Sequence, residues 1–255
     1  MFWRIYEYDF KRIPADVLGG VYESYLSYIA QNPIEVDIGG KSGKLLKVED
    51  KKELKQKSRK KRKEQGIYYT PKFIVDYIVK NTLGEKLKGI KTVGELKELK
   101  VLDPACGSGS FLTEALETIN NKYKEFGASG GQSIKTNILL ENIYGVDLDG
   151  QAVELARLNL LLDALDTKAK LPNLAKNIKN GNSLISGTEN ELKKYFGENW
   201  RDKKPFNWQE EFPEVLRQGG FDVIVGNPPW GANIDKDVEY LEDYCAKYLS
   251  LSAAL

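Results

Sequence analysis

Apolar positions recur at two different periods along the chain, and the change between them divides it. From Pro14 to Ala30, Leu18, Tyr22, Tyr25 and Ile29 fall at helical spacing and Pro33 follows, which predicts an amphipathic helix. Residues 35 to 48 alternate Val36 and Ile38, then Leu46 and Val48, around GGKSG, the pattern of a hairpin. In GIYYTPKFIVDYIVKNTL, Thr70 is placed as an N-cap and Pro71 at the first helical position, with Phe73, Ile74, Tyr77 and Ile78 on one face. From about residue 98 the texture becomes strand then helix, repeatedly. Strands are expected at Leu99–Leu102, Ile143–Val146, Ile178–Lys179 and Phe221–Val225, and helices at Ser110–Glu125, Gln151–Asp166 and near Val238–Leu251. Gly127–Gly131 reads as a loop, and 186–220, with Trp200, Pro205, Trp208 and Pro213, as an irregular insertion. Strands alternating with helices imply an α/β fold built on a doubly wound, mostly parallel sheet.

Composition narrows the chemistry. The 255 residues contain no His, the commonest metal ligand and general acid–base group, and two distant cysteines, Cys106 and Cys245. These offer neither a disulfide framework nor a zinc site, so no metal is expected. No stretch approaches the roughly 18 apolar residues of a membrane span, and MFWRIYEYDFKR lacks the features of a secretion signal. A cytoplasmic protein without a membrane partner is the expectation. The net charge of +1 conceals an uneven distribution. Between Lys51 and Glu64, nine Lys and Arg against two acids give +7, leaving 29 bases and 35 acids, or −6, elsewhere. Such a block, with Lys60, Lys61, Arg62 and Lys63 at its centre, suits a segment that neutralises phosphates, although Lys-rich solvated faces and connectors share the composition. Just before it, Asp37 and Glu49-Asp50-Lys51 follow the order of acids and lysine in metal-dependent nucleases, a pattern that chance readily produces in a chain with 29% charged residues.

Three constellations carry chemistry. In VLDPACGSGSFL a hydrophobic strand runs into Asp103, then Gly107-Ser108-Gly109, then a helix with Phe111, Leu112, Ala115, Leu116 and Ile119 inward. Glycines there let backbone approach a ligand, and the helix N-terminus favours negative charge. A third glycine at dinucleotide-binding spacing is absent. In IYGVDLD a strand ends in acids; Asp147 is placed to accept both hydroxyls of a ribose, and Asp149 is better explained as the N-cap of the next helix. In FDVIVGNPPW two prolines make a stiff turn without backbone donors, leaving the Asn227 side-chain oxygen and the Pro228 carbonyl as acceptors for an amino group, and Trp230 as a stacking face.

Taken in order, GIYYTP, VLDPACGSGSFL, IYGVDLD, NGNSL and VIVGNPPW resemble the S-adenosylmethionine-dependent N6-adenine DNA methyltransferases whose cofactor motifs precede the catalytic motif and the target-recognition domain. IPADVLGGVYESYL, a basic stretch and then GIYYTP is similar to the methylase region of the combined restriction–modification proteins of the Eco57I-like, type IIG kind. The likeness runs from about residue 12 to about residue 250. It implies a Rossmann-like methyltransferase sheet over 65–255 and a helical and hairpin extension with the basic tract over 1–64. It also implies S-adenosylmethionine as cofactor, double-stranded DNA as partner, and a place in a restriction–modification system. Thr70 and Pro71 would touch the methionine end of the cofactor; Asp103, Pro104, Ala105, Cys106 and Gly107 would form the floor beneath it, with Gly109 completing the turn. Asp147 would bind the ribose, Leu148 would pack on the adenine, and Asn182, where the family more often has Asp, would meet the adenine edge. Asn227, Pro228, Pro229 and Trp230 would hold the target base, and Lys60, Lys61, Arg62 and Lys63 the DNA backbone.

The same kind of Asn-Pro-Pro-aromatic site holds the planar amino group of a protein glutamine or of RNA, so these stand as alternative substrates. A methyltransferase sheet is expected to continue after the NPPW strand and into a recognition domain, whereas about 25 residues follow Trp230. The sheet is therefore expected to be incomplete, with Phe221–Val225 at an edge and the rest on a C-terminal region or a separate subunit. A fragment that binds cofactor or DNA but is inactive alone is the remaining alternative.

Overall fold

A computed structural model describes residues 70–128, 132–164, 172–228 and 237–252. The expected N-terminal helix and hairpin, the nuclease-like acids, the basic tract, the boundary near residue 64, Pro229 and Trp230 lie outside the described residues.

Three short helices, α1 (Lys72–Asn81), α2 (Leu83–Gly89) and α3 (Val93–Glu98), lead into strand β1 (Val101–Asp103). Then come α4 (Ser110–Glu125), α5 (Gln132–Glu141), β2 (Ile143–Asp147), α6 (Gly150–Ala164) and β3 (Ile178–Asn180). After β3 the chain forms α7 (Glu189–Phe196), a 3₁₀ segment (Gly197–Lys203), α8 (Trp208–Glu211) and α9 (Pro213–Arg217), and ends the described part with β4 (Val223–Ile224) and α10 (Val238–Ser252). The four strands form one parallel sheet in the order β3-β2-β1-β4. All four expected strands form, within two residues at either end.

Alternation along the strands buries both faces of the sheet. Val101 and Ile143 point into a core shared with α1 to α6, among them Leu112, Leu116, Ile119 and Leu160, and all five inward residues expected on α4 are buried there. Leu102, Tyr144 and Val146 point the other way, onto Phe206, Phe212 and Val215. There Tyr144 meets Phe212 and Phe221 edge-on, each with ring centroids 5.5 Å apart. Residues 186–220, expected to be irregular, thus contain short helices and supply this second layer. Thr188 and Glu191 form a reciprocal capping box that starts α7. A third cluster joins Ile185 and Leu192 to Tyr240 of α10.

Two further expectations shift. The N-cap of α1 is Pro71, not Thr70, and no side chain caps it. Its inward face carries Val75 and Val79, while Phe73 and Tyr77 are 72% and 69% exposed. β4 is the edge strand, as expected, with Ile224 exposed between the buried Val223 and Val225. No described helix is long and apolar enough to cross a membrane.

Candidate functional site

In this sheet the order reverses at β1: the chain moves outward through β2 and β3, then returns to pair β4 on the free side of β1. The crevice outside the carboxyl ends of strands at such a reversal is where open α/β sheets bind ligands. Asp103 ends β1, Asp147 ends β2, and Gly226–Asn227 follow β4, whose register sets Leu102 against Ile224.

Asp103 is fully buried. Its Oδ1 accepts the Ala105 N–H at 3.0 Å, and its Oδ2 is buried with no hydrogen-bond partner among the described residues. Burial pushes its carboxyl up to about 7; the Ala105 N–H works against this and the Asp147 charge adds to it. Gly226 crowds the same carboxylate, since a Cβ there would lie 2.6 Å from Oδ1. The chain thus carries glycine where the β4 turn passes over the acid.

The loop after Asp103 is fixed by residues from two elements, β2 and α6. Gly107 and Gly109 have φ of +52° and +89°, conformations costly for other residues. The Gly107 N–H donates to Asp147 Oδ2 at 2.8 Å, and the Asp149 N–H donates to Asp147 Oδ1 at 2.8 Å. Asp147 therefore clamps the glycine turn to the end of β2. Its carboxyl is raised by burial, an effect the two N–H groups oppose. On the other side of the turn, Asn159 of α6 donates to the Ser108 carbonyl at 2.9 Å, and a Cβ on Gly109 would come within 3.2 Å of Ala156. Cys106 is buried, and burial, together with the Asp103 and Asp147 charges, pushes its thiol well up, so it packs rather than reacts. Pro104 and Ala105 are half-buried.

The other candidates border this centre. Leu148 is exposed beside Asp147, and its carbonyl accepts from Lys204 Nζ at 3.2 Å. Asp149 accepts the Gln151 N–H at 2.9 Å and starts α6, as expected. Asn182 follows β3, where its Oδ1 accepts the Leu184 N–H and its N–H donates to the Lys204 carbonyl. Its amide thus braces a turn. Thr70, buried at 8% exposure, accepts a hydrogen bond from Asn227 Nδ2 at 3.2 Å. Asn227 is half-buried and Pro228 exposed. Asn159, Lys204 and the Thr70–Asn227 contact are additions to the residues expected from sequence. Asn159 alone left a trace there, as an amide within the apolar run of ARLNLLL.

A cleft of about 560 Å³ opens elsewhere, between α7, α8 and α10, and contains none of these strand-end residues. Among the described residues no group of three or more Cys, Asp or Glu is arranged to hold a metal.

Comparison with known proteins gives two matching family models: Eco57I restriction-modification methylase over residues 141–253, and RMKL-like, methyltransferase domain, over residues 89–183. The type II restriction enzyme and methyltransferase RM.Eco57I of Escherichia coli is 31% identical over 250 residues, covering 88% of this chain and 22% of that protein. The adenine-specific methyltransferase PglX of Streptomyces coelicolor is 31% identical over 211 residues, covering 75% and 17%. The type I restriction enzyme MpnII methylase subunit of Mycoplasma pneumoniae is 24% identical over 222 residues, covering 87% and 27%. The chain spans 17 to 27% of the length of these relatives.

Proposed function

Because the chain carries a methylase region of the Eco57I restriction–modification kind, we propose that it is the cofactor-binding and catalytic part of an S-adenosylmethionine-dependent DNA methyltransferase acting on N6 of an adenine turned out of the duplex. The observation that supports this reading is that the Gly226–Asn227 turn after β4 lies against Asp103 at the end of β1, over 120 positions away in sequence. The residues fit the cofactor. Asp103 Oδ2 is a buried oxygen suited to an amino group, and among the described residues no atom beyond the adjoining residues lies within 4 Å of where a Gly107 Cβ would be, so the turn leaves room for a ligand. Asp103 and the 104–107 loop would hold the methionine end, Asp147 the ribose, and Leu148 and Asn182 the adenine. When bound, the sulfonium supplies an activated methyl group.

The chain's own contribution is alignment. Asn227 Oδ1 and the Pro228 carbonyl accept the two hydrogens of the adenine amine, which favours a tetrahedral nitrogen with its lone pair directed at the methyl carbon. As the N–C bond formed and the methyl–sulfur bond broke, leaving its electron pair on sulfur, the same acceptors would stabilise the ammonium, whose surplus proton would leave to water. No imidazole is required. Turning the base out costs a few kcal/mol, and stacking on Trp230 returns roughly 1–3 kcal/mol. Lys60, Lys61, Arg62 and Lys63 would meet DNA phosphates. The adjoining region of a longer polypeptide, or a partner subunit, would read the target sequence.

Label transfer from S-adenosylmethionine to duplex DNA, RNA and a protein extract tests the reading. Labelled N6-methyladenine in DNA supports it; label only in RNA or in glutamine moves the chain to those substrates. Asn227→Ala should abolish transfer while leaving cofactor affinity nearly intact, and turnover above a few per cent of wild type would refute the role of Asn227.

A further inference from the structure

Lys204 is the only residue other than glycine with a positive φ among the described residues, at +49°. A residue with a Cβ is strained in that left-handed conformation, which glycine or asparagine adopts more easily. Its backbone is held there on both sides: its N–H donates to the Arg201 carbonyl at 2.9 Å, and its carbonyl accepts the Asn182 N–H at 2.7 Å. Its side chain reaches the loop after β2, 56 positions earlier in sequence, where Nζ donates to the Leu148 carbonyl at 3.2 Å. Lys204 thus touches both Leu148 and Asn182, the two residues proposed to meet the cofactor's adenine. An ammonium has three hydrogens, and two of those on Lys204 meet no protein partner among the described residues. Asn182 adds a second donor. Its Oδ1 accepts the Leu184 backbone N–H at 3.1 Å, and because a backbone N–H can only donate, Nδ2 is the branch turned away from that contact. Leu148 and Leu184, whose backbones engage these two side chains, are themselves exposed.

We infer that Lys204 is a cofactor-binding residue whose ammonium donates to a ring nitrogen of the adenine. This deepens the proposed function and rests on the adenine lying between Leu148 and Asn182. It accounts for a lysine at a backbone position where glycine or asparagine would be less strained. It also matches donors at the ends of β2 and β3 to a base whose ring nitrogens are acceptors.

The test is calorimetry on the full chain with S-adenosylhomocysteine, the cofactor without its methyl group, and with its 1-deaza, 3-deaza and 7-deaza forms, each of which replaces one ring nitrogen by C–H. Lys204→Met keeps an unbranched stem and removes the ammonium. It should weaken binding of S-adenosylhomocysteine about tenfold, as for one hydrogen bond from a charged donor. Wild type should lose about as much on one of the three deaza forms, the one lacking the nitrogen that Lys204 meets. Lys204→Met should bind that form and the parent within about twofold of each other, because the partner of the missing nitrogen is already gone. A lysine that only braced the turn would weaken all four ligands alike. The inference is therefore overturned if Lys204→Met discriminates among the deaza forms as wild type does, if wild type discriminates among none of them, or if the variant binds the parent as tightly as wild type. Wild-type chain that binds no S-adenosylhomocysteine would remove the proposed function, and the role of Lys204 with it. Should Lys204→Met not fold, Lys204→Gly, which removes the ammonium and relieves the backbone, carries the same comparison.

Discussion

Replacing Asp103 by Asn should change the pH dependence of stability more than stability itself. Asp103 is fully buried, with a carboxyl pushed up to about 7 from an ordinary 3.8. Between those values the folded chain holds a proton that the unfolded chain has released. Stability is therefore fully present below about pH 4 and is lost as pH rises toward and through 7. The whole shift corresponds to about 4 kcal/mol at 1.36 kcal/mol per unit, of which on the order of 2.5 kcal/mol falls between pH 5 and pH 8. Asn keeps an oxygen for the Ala105 N–H and does not titrate, and its NH₂ takes the place that the Oδ2–H of the protonated acid fills in the wild type at pH 5. The variant should thus be close to wild type in stability at pH 5 and should gain about 2.5 kcal/mol relative to it by pH 8. Urea unfolding of both proteins across that range measures the difference. Asp163, whose carboxyl is also raised by burial, is common to both proteins and cancels. A difference that stays constant with pH to within about 0.5 kcal/mol would show that Asp103 is ionised throughout, and the argument from burial would fail.

Three other changes probe the same centre. Asp147→Ala removes the acceptor of the Gly107 and Asp149 N–H groups, so it should weaken S-adenosylmethionine binding by tenfold or more, given about 1.5–3 kcal/mol for a bond to a charged acceptor; calorimetry with unchanged affinity would refute both its clamping and its ribose role. Asn159→Ala frees the Ser108 carbonyl and should cost about 1–3 kcal/mol in urea unfolding, with a smaller loss of cofactor affinity, and a loss under about 0.5 kcal/mol would count against the clamp. Gly226→Ala sets a Cβ 2.6 Å from Asp103 Oδ1, so either the acid or the Asn227 turn must shift. It should lower methyl transfer more than cofactor binding, and a rate equal to wild type would mean that the turn yields without consequence.

How much of this was legible in the sequence depended on whether a feature is local. Parallel strands covered on both faces read as short apolar runs, and all four were found. Helix α5 was missed because its apolar residues Ile138 and Leu139 adjoin Ile143 and Tyr144 of β2, so one apolar stretch hides two elements. The inward face of α1 was misjudged for a related reason. FIVDYIV carries apolar residues nearly all round, and its period cannot choose between Val75 with Val79 and Phe73 with Tyr77. Thr70 looked like a cap because Thr-Pro is a common helix start, whereas its hydroxyl serves Asn227. The aromatic residues of 186–220 signalled no regular element, and their short helices form because they close over Tyr144 and Val146. Tertiary contact, rather than local propensity, decided those segments.

The strand order then explains why the site could be named in pieces but not assembled. Asp103, Asp147 and Asn227 each follow a strand, a property visible in one dimension, and their separation depends entirely on which strands are neighbours. Had β4 been added beyond β3, Asn227 would lie about 14 Å from the end of β1, since adjacent strands are roughly 4.8 Å apart. That would part the turn at 227 from a cofactor held at 103. Pairing β4 to β1 instead, with Val223 beside Val101, brings the Gly226 turn directly against Asp103 and leaves Asn227 within reach of Thr70 at the start of α1. The same pairing accounts for a glycine at 226, for the burial of Asp103 and for its raised carboxyl. One topological choice thus couples the most perturbed acid of the site to the turn that would hold the substrate amine.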